Sequence, residues 1–324
     1  MASKHPPIIP NQCIALSHSA VYSQFDTFSP AARSTPVNRH LLVAVSDNPR
    51  AIHGVRFVSS FFSTKCDLKL TLFAAFPTGP HIWIEEKSYE TVTQAETTSS
   101  QYEQQFRNSL EAAKMMLTSG GFAADHIETK CVPQSGTRVE DILREGERGM
   151  YDAVVLGKRA LARLEQIMEE SVTEEIIKKD TKMPVWICRS PDEDHSNILL
   201  CLDGSAPSYR IADHVGFILG LELRHKVTLL QVQNGRSDQT EAIFSKARTI
   251  LHENKIADER IEEQVISGFK VAPAILDMAR QGKYAAIAVG RTGAGKGLLG
   301  RLFIGSVSRE LVKGLSSSAL WICR

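Results

Sequence analysis

At 324 residues the chain exceeds one average domain and suits two of about 150. Its 43% apolar and 23% charged residues exclude wholesale disorder, and a formal net charge of +1 excludes a general affinity for nucleic acid. The longest apolar runs, LLVAV at 41–45 and AAIAV at 285–289, are strand-length and far short of the roughly 20 residues that span a bilayer. Cys13, Cys66, Cys131, Cys188, Cys201 and Cys323 form no C-x-x-C and no zinc spacing, and the histidines do not cluster. A reducing cytoplasm and no bound metal are expected, with Cys188 and Cys323 as small buried hydrophobes of apolar strands.

Residues 1–38 are rich in Pro and Ser, show no sustained period and lack the basic start and apolar run of a secretory signal, so a disordered tail is expected. An internal repeat begins at His40. HLLVAVSDNPRAIHGVRFVSSFF is matched from Asn197 by NILLCLDGSAPSYRIADHVGFIL: an apolar strand, a turn, then a helix with apolar residues three and four apart. LKLTLFAAF at 68–76 is matched by KVTLLQVQ at 226–233 as the second strand. Each copy continues with an amphipathic helix, a third strand near IETKCV or EEQVIS, and a further helix. Each then ends in a strand from Tyr151 or Tyr284, a last helix and a WICR strand. Strands alternating with helices imply parallel pairing through right-handed crossovers, so the expected architecture is two tandem doubly wound α/β domains, at 39–190 and 196–324. PTGPHIWIEEKSYETVTQAETTSS, which lengthens the first domain, reads as a solvated loop.

Between the fourth strand and last helix of the second copy, VGRTGAGKGLLGRLFIGSVSREL packs six glycines around Arg291, Lys296 and Arg301. At such a strand end the backbone turns sharply and offers N–H groups to an anion, and the next helix adds its positive N-terminus. Gly290-x4-Gly295-Lys296 satisfies a P-loop pattern, but Gly297 stands where Ser or Thr must hold Mg²⁺, and the 27 residues after it are too few for the downstream strand that carries a metal-binding Asp.

The whole constellation resembles the universal stress protein family over nearly everything beyond the tail. The family's nucleotide-binding members carry G-x2-G-x9-G-(S/T) at this place. Here Gly290-x2-Gly293 supplies the first part and Gly295-x9-Gly305-Ser306 the second, a loop two residues longer than the pattern. LDGSAPS after the first strand and GSVSREL after the loop are similar to the family's wording. The resemblance implies an adenine-nucleotide α-hydrolase-like, Rossmann-like fold and a bound adenine nucleotide, ATP before ADP or AMP, with or without Mg²⁺. It implies that Asp203, flanked by Gly204 and Ser205, and the backbone of Val232 hold ribose and adenine. Gly290, Gly293, Gly295, Gly305, Ser306 and Val307 would hold the phosphates, with Arg291 and Lys296 as charge partners.

The first copy reads as an emptied site. Ser46 stands in place of Asp203, Ala160 in place of the second glycine, and Glu170 in place of Gly305. A carboxylate about 4 Å from a phosphate costs about 4 kcal/mol at an effective dielectric of 20. No nucleophile–base pair or paired carboxylates stand out, so regulation is expected rather than catalysis, with slow ATP hydrolysis as the upper limit. The resemblance also implies intramolecular pairing of the two domains through VWICR and LWICR, and allows a homodimer. A nucleotide-free scaffold is the alternative. An adenylating enzyme would need an early S-G-G-x-D-S motif, which neither first strand is followed by.

Overall fold

The computed structural model describes residues 39–47, 52–78, 89–157, 183–233, 239–291 and 306–324. The first half runs β1 (Arg39–Ala44), α1 (His53–Phe61), β2 (Leu68–Phe76), α2 (Tyr89–Ser119), β3 (Ile127–Pro133), α3 (Arg138–Arg148), β4 (Ala153–Gly157) and β5 (Val185–Cys188). The second runs β6 (Asn197–Cys201), α4 (Ala206–Leu219), β7 (Val227–Gln233), α5 (Thr240–Glu253), β8 (Ile261–Ser267), α6 (Val271–Gln281), β9 (Tyr284–Gly290), α7 (Ser306–Gly314) and β10 (Ala319–Cys323). The tail reading at 1–38 and the Ala160 and Glu170 readings lie outside the described residues.

The strands form one mostly parallel sheet in the order β3-β2-β1-β4-β5-β10-β9-β6-β7-β8. The second half repeats the first in register: Leu41 pairs with Leu70 and Ala153, as Ile198 pairs with Val227 and Ala286. The central strands are buried on both faces, which is why their sequences are apolar without alternation. Edge strand β8 is mostly exposed and carries Glu262 and Glu263, a charge pattern that blunts edge-to-edge pairing. Instead of two separate sheets there is one, because β5 and β10 pair antiparallel with Trp186 opposite Trp321.

The seam between these strands is packed differently on its two faces. On one, α1 and α4 meet over it, and a single core runs through Leu41, Phe57, Phe61, Trp186, Trp321, Ile211 and Val215. The two indoles stack at 4.1 Å with 5° between planes. On the other face the core divides into a cluster around Leu42, Phe73 and Ile142 and one around Leu199, Ile287 and Leu311.

Trp186 Nε1 donates to Nε2 of buried His214 at 2.9 Å, which requires that nitrogen to be unprotonated, and burial pushes His214 down to about 3. The strand registers place Phe57 where His214 stands in the other half. Phe57 has no acceptor, and the Nε1 of Trp321 is buried without a partner among the described residues.

The segment expected as a solvated loop is in part helical. From residue 89 it forms the first turns of α2, a helix of 31 residues without glycine or proline. Its polar sequence hides the amphipathic period, but nothing in it breaks the backbone ladder.

Candidate functional site

The order of strands reverses at β6: the chain moves from it to β7 and β8 on one side, and returns to β9 on the other. Ligands of doubly wound sheets bind in the crevice that such a reversal opens at the carboxyl ends of the strands. Asp203, Val232 and Gly290 emerge there from three neighbouring strands. Leu202 N donates to Leu230 O at 2.8 Å, which carries the β6–β7 pairing up to the residue before Asp203.

The turn after β6 follows from its residues. Asp203 Oδ1 accepts from Ser205 N at 3.0 Å, and the turn this makes needs the positive φ of 77° that Gly204 adopts. A Cβ on Gly204 would also stand 3.0 Å from Ile243 Cδ1. Ser205 is the N-cap of α4, accepting from Ser208 N, and Pro207 occupies the first turn, where its missing N–H is no loss. Asp203 itself is exposed at the mouth of the crevice.

Gly290 ends β9 against this turn. A Cβ there would lie 2.9 Å from Pro207 C, Pro207 Cβ and Ser208 N, so a side chain at 290 would collide with the backbone of α4. Close packing of strand on helix already demands glycine at this place, independently of any phosphate.

Arg291 follows, its N–H donating to Cys323 O at 2.6 Å. The residue is only 8% exposed, and burial lowers the pKa of its guanidinium. Among the described residues no carboxylate pairs with it, and residues 292–305 contain no Asp or Glu. The structure therefore holds a nearly buried cation at the carboxyl end of β9, next to the glycine that packs on α4.

Val232 lies at the end of β7, partly buried, with its Cγ1 3.5 Å from where a Cβ on Gly268 would be. Gln233 Nε2 donates to Gln231 Oε1 and to Thr240 Oγ1, fixing the polar rim of that strand end. Ser306 is the first residue of α7, and Val307 packs partly buried against the cluster around Leu199, Ile287 and Leu311. Gly293, Gly295, Lys296 and Gly305 lie outside the described residues.

Two site neighbours escape sequence reasoning. Tyr209, one turn into α4, has its pKa raised by burial and then by the charge of Asp203. Lys246 of α5 places its Nζ 4.1 Å from the centre of the Tyr209 ring. Tyr209 follows the Asp-Gly-Ser turn closely enough to have been a candidate, whereas Lys246 is joined to it only by the packing of α5 on α4.

The thiols offer no nucleophile here. Burial raises the pKa of Cys188 and Cys201 well above the ordinary thiol value, and pushes Cys323 up to about 12. Among the described residues no group of His, Cys, Asp and Glu could hold a metal ion, and no helix is long and apolar enough to cross a membrane.

At the corresponding corner of the first half, the long helix reaches the turn after the first strand. Gln105 of the long helix α2 donates from Nε2 to Asp47 O, in the turn after β1, at 3.3 Å. Gly157 ends β4 as Gly290 ends β9.

The second half is thus a doubly wound α/β domain whose strand order reverses at β6. Residues 195–322 match the sequence model of the Universal stress protein family, so this half carries a universal stress protein domain. The fold is similar to that of a universal stress protein from Archaeoglobus fulgidus, at 17% identity and a TM-score of 0.58, over 89% of this chain and 96% of that one. Smaller overlaps occur with two other structures. One is a universal stress protein from Archaeoglobus fulgidus in complex with dAMP, at 20% identity and a TM-score of 0.31, over 40% of this chain and 98% of that one. The other is a universal stress protein family protein from Arabidopsis thaliana with AMP bound, at 14% identity and a TM-score of 0.28, over 39% and 90%. No curated protein matches the chain.

Proposed function

We propose that the chain is a cytoplasmic tandem universal stress protein, with domains at 39–190 and 196–324, that binds one adenine nucleotide in the second. The observation that carries this is Arg291. A cation buried without a carboxylate partner among the described residues is poorly compensated, and an anion bound beside it would satisfy it. The phosphates would meet Arg291, the N–H groups of the loop at 293–305 and the start of α7, while Asp203 would face the ribose and the backbone of Val232 the base. The family match at 195–322 supports adenosine as the group attached to those phosphates. ATP is the ligand of first choice, with or without Mg²⁺, and occupancy would act by biasing a conformation or a partner surface.

The first domain serves as a structural partner, joined to the second through β5 and β10, with Gln105 hydrogen-bonded to its own first-strand turn. Native mass spectrometry and titration calorimetry on the whole chain test the assignment. One ATP per chain is expected, with binding eliminated by Gly305→Glu and weakened only modestly by Lys296→Ala. A stoichiometry near two, or binding that survives Gly305→Glu, would move the site. Failure to bind ATP, ADP or AMP would leave a nucleotide-free scaffold.

A further inference from the structure

Besides the stacked tryptophans, the two halves meet through polar groups that do not repeat. The loop between α1 and β2 in the first half faces the loop between α4 and β7 in the second. Glu222, fully buried, lies 3.5 Å from the equally buried guanidinium of Arg39. Its carboxylate also accepts from the N–H and Oγ of Ser63 and from the N–H of Thr64. Arg39 Nη1 donates across the seam to Ile218 O at 2.8 Å. From the other side Arg224 donates to the carbonyls of Ser60 and Phe61, and His225 stacks on the Phe61 ring at 4.3 Å.

The repeat makes it possible to ask what each half would meet in a copy of itself. Because β1–β2 and β6–β7 pair in the same register, Arg39 corresponds to Ser196, Ser63 to Gly220, Thr64 to Leu221 and Lys65 to Glu222. A pair of second halves would bury two Glu222 carboxylates opposite Ser196, Gly220 and Leu221, without Arg39 or the Ser63 hydroxyl. Arg224 of the copy would be directed at the carbonyls of Phe217 and Ile218 rather than at the carboxylate, and Arg260 of the same half is taken up by backbone carbonyls. A pair of first halves would bring Lys65 toward Arg39, two like charges in a buried seam. In the chain as it is, Lys65 turns away, donating to Gly120 O and lying 5.3 Å from the centre of the Phe122 ring. The stacked indoles exert no such choice, since both halves carry one.

We infer that this seam is a partner-selecting surface: the face around Glu222 accepts the first half, with its Arg39 and Ser63, and rejects a second copy of the second half. The partner that fits has arginine opening its first strand and a hydroxyl residue just after its first helix. A single-domain relative lacking these groups would be excluded, so the second half stays committed to its own chain. This rests on the seam and is independent of the nucleotide reading.

The test uses the whole chain with a protease site inserted between the exposed Glu193 and Asp194. The folded protein is cleaved, mixed with an isotopically labelled cleaved sample, loosened in mild urea, returned to buffer and weighed by native mass spectrometry. Labelled and unlabelled halves should exchange, with every pair joining one first half to one second half. Pairs of second halves should fall about a hundredfold or more below the random proportion, the scale of an uncompensated buried charge. Glu222→Gln should let them appear. Like and unlike pairs at random proportions in the unmutated protein would overturn the inference. Should the halves fail to re-pair, the intact chain decides: Glu222→Arg should lower the melting temperature, and adding Arg39→Glu should recover most of the loss. No recovery would show that the pair selects nothing.

Discussion

Replacing Arg291 by Met should move stability and ligand affinity in opposite directions. Met keeps the apolar stem that packs at the end of β9 and removes only the guanidinium. That group is nearly buried and has no carboxylate among the described residues, so its removal should raise the stability of the ligand-free protein by about 1–2 kcal/mol, the low part of the range for a poorly compensated polar group. At about 2–4 °C per kcal/mol for a chain of this class, the melting temperature should rise by several degrees. A phosphate about 4 Å from the guanidinium gains about 4 kcal/mol at an effective dielectric of 20. Desolvation leaves about 1.5–3 kcal/mol of that, typical of a hydrogen bond to a charged group. Affinity for ATP should therefore fall about 10- to 150-fold. Differential scanning fluorimetry without ligand gives the first number, and titration calorimetry gives the second. A lower melting temperature together with an unchanged Kd would refute the reasoning, because it would mean that the guanidinium is held by the protein and not kept for an anion.

The two tryptophans of the seam should respond unequally, because only Trp186 has a hydrogen-bond acceptor: Trp186→Phe should cost about 1–2 kcal/mol more than Trp321→Phe in urea unfolding, and equal losses would contradict the Trp186–His214 bond. His214 stays neutral in the folded protein down to about 3 but takes up a proton near 6.5 when unfolded, so its contribution is complete above that value and is lost as the pH falls. Between pH 6.5 and 5 the loss is about 2 kcal/mol from this residue alone. His214→Gln should flatten that part of the profile, and an unchanged slope would assign the acid sensitivity elsewhere. Gly290→Ala forces a Cβ to within 2.9 Å of the backbone of Pro207 and Ser208 and should destabilise by about 1–3 kcal/mol even without ligand; a neutral result would show that β9 and α4 can separate freely.

Much of this molecule can be read from its residues in order. The repeat from His40 and Asn197, the alternation of apolar strands with three- and four-spaced helices, and the Asp203-Gly204-Ser205 turn before α4 are local patterns, and local patterns are written in consecutive residues. The helical part of the domain-one insertion was missed for the same reason, since polar residues without a clear apolar period look like loop even where nothing forbids a helix.

What the order of residues leaves open is decided by groups far apart in the chain. That Gly290 is needed for its contact with Pro207, that Lys246 lies over Tyr209, and that α2 reaches the first-strand turn depends on which faces of neighbouring elements meet. Arg39 and Glu222 each look like an ordinary surface charge in sequence, because the energy of an ion pair depends on distance and burial rather than on neighbours along the backbone. Repetition in the sequence could announce two similar halves. Only the folded seam, where one half offers arginine and hydroxyls and the other a carboxylate, makes them different enough to choose each other.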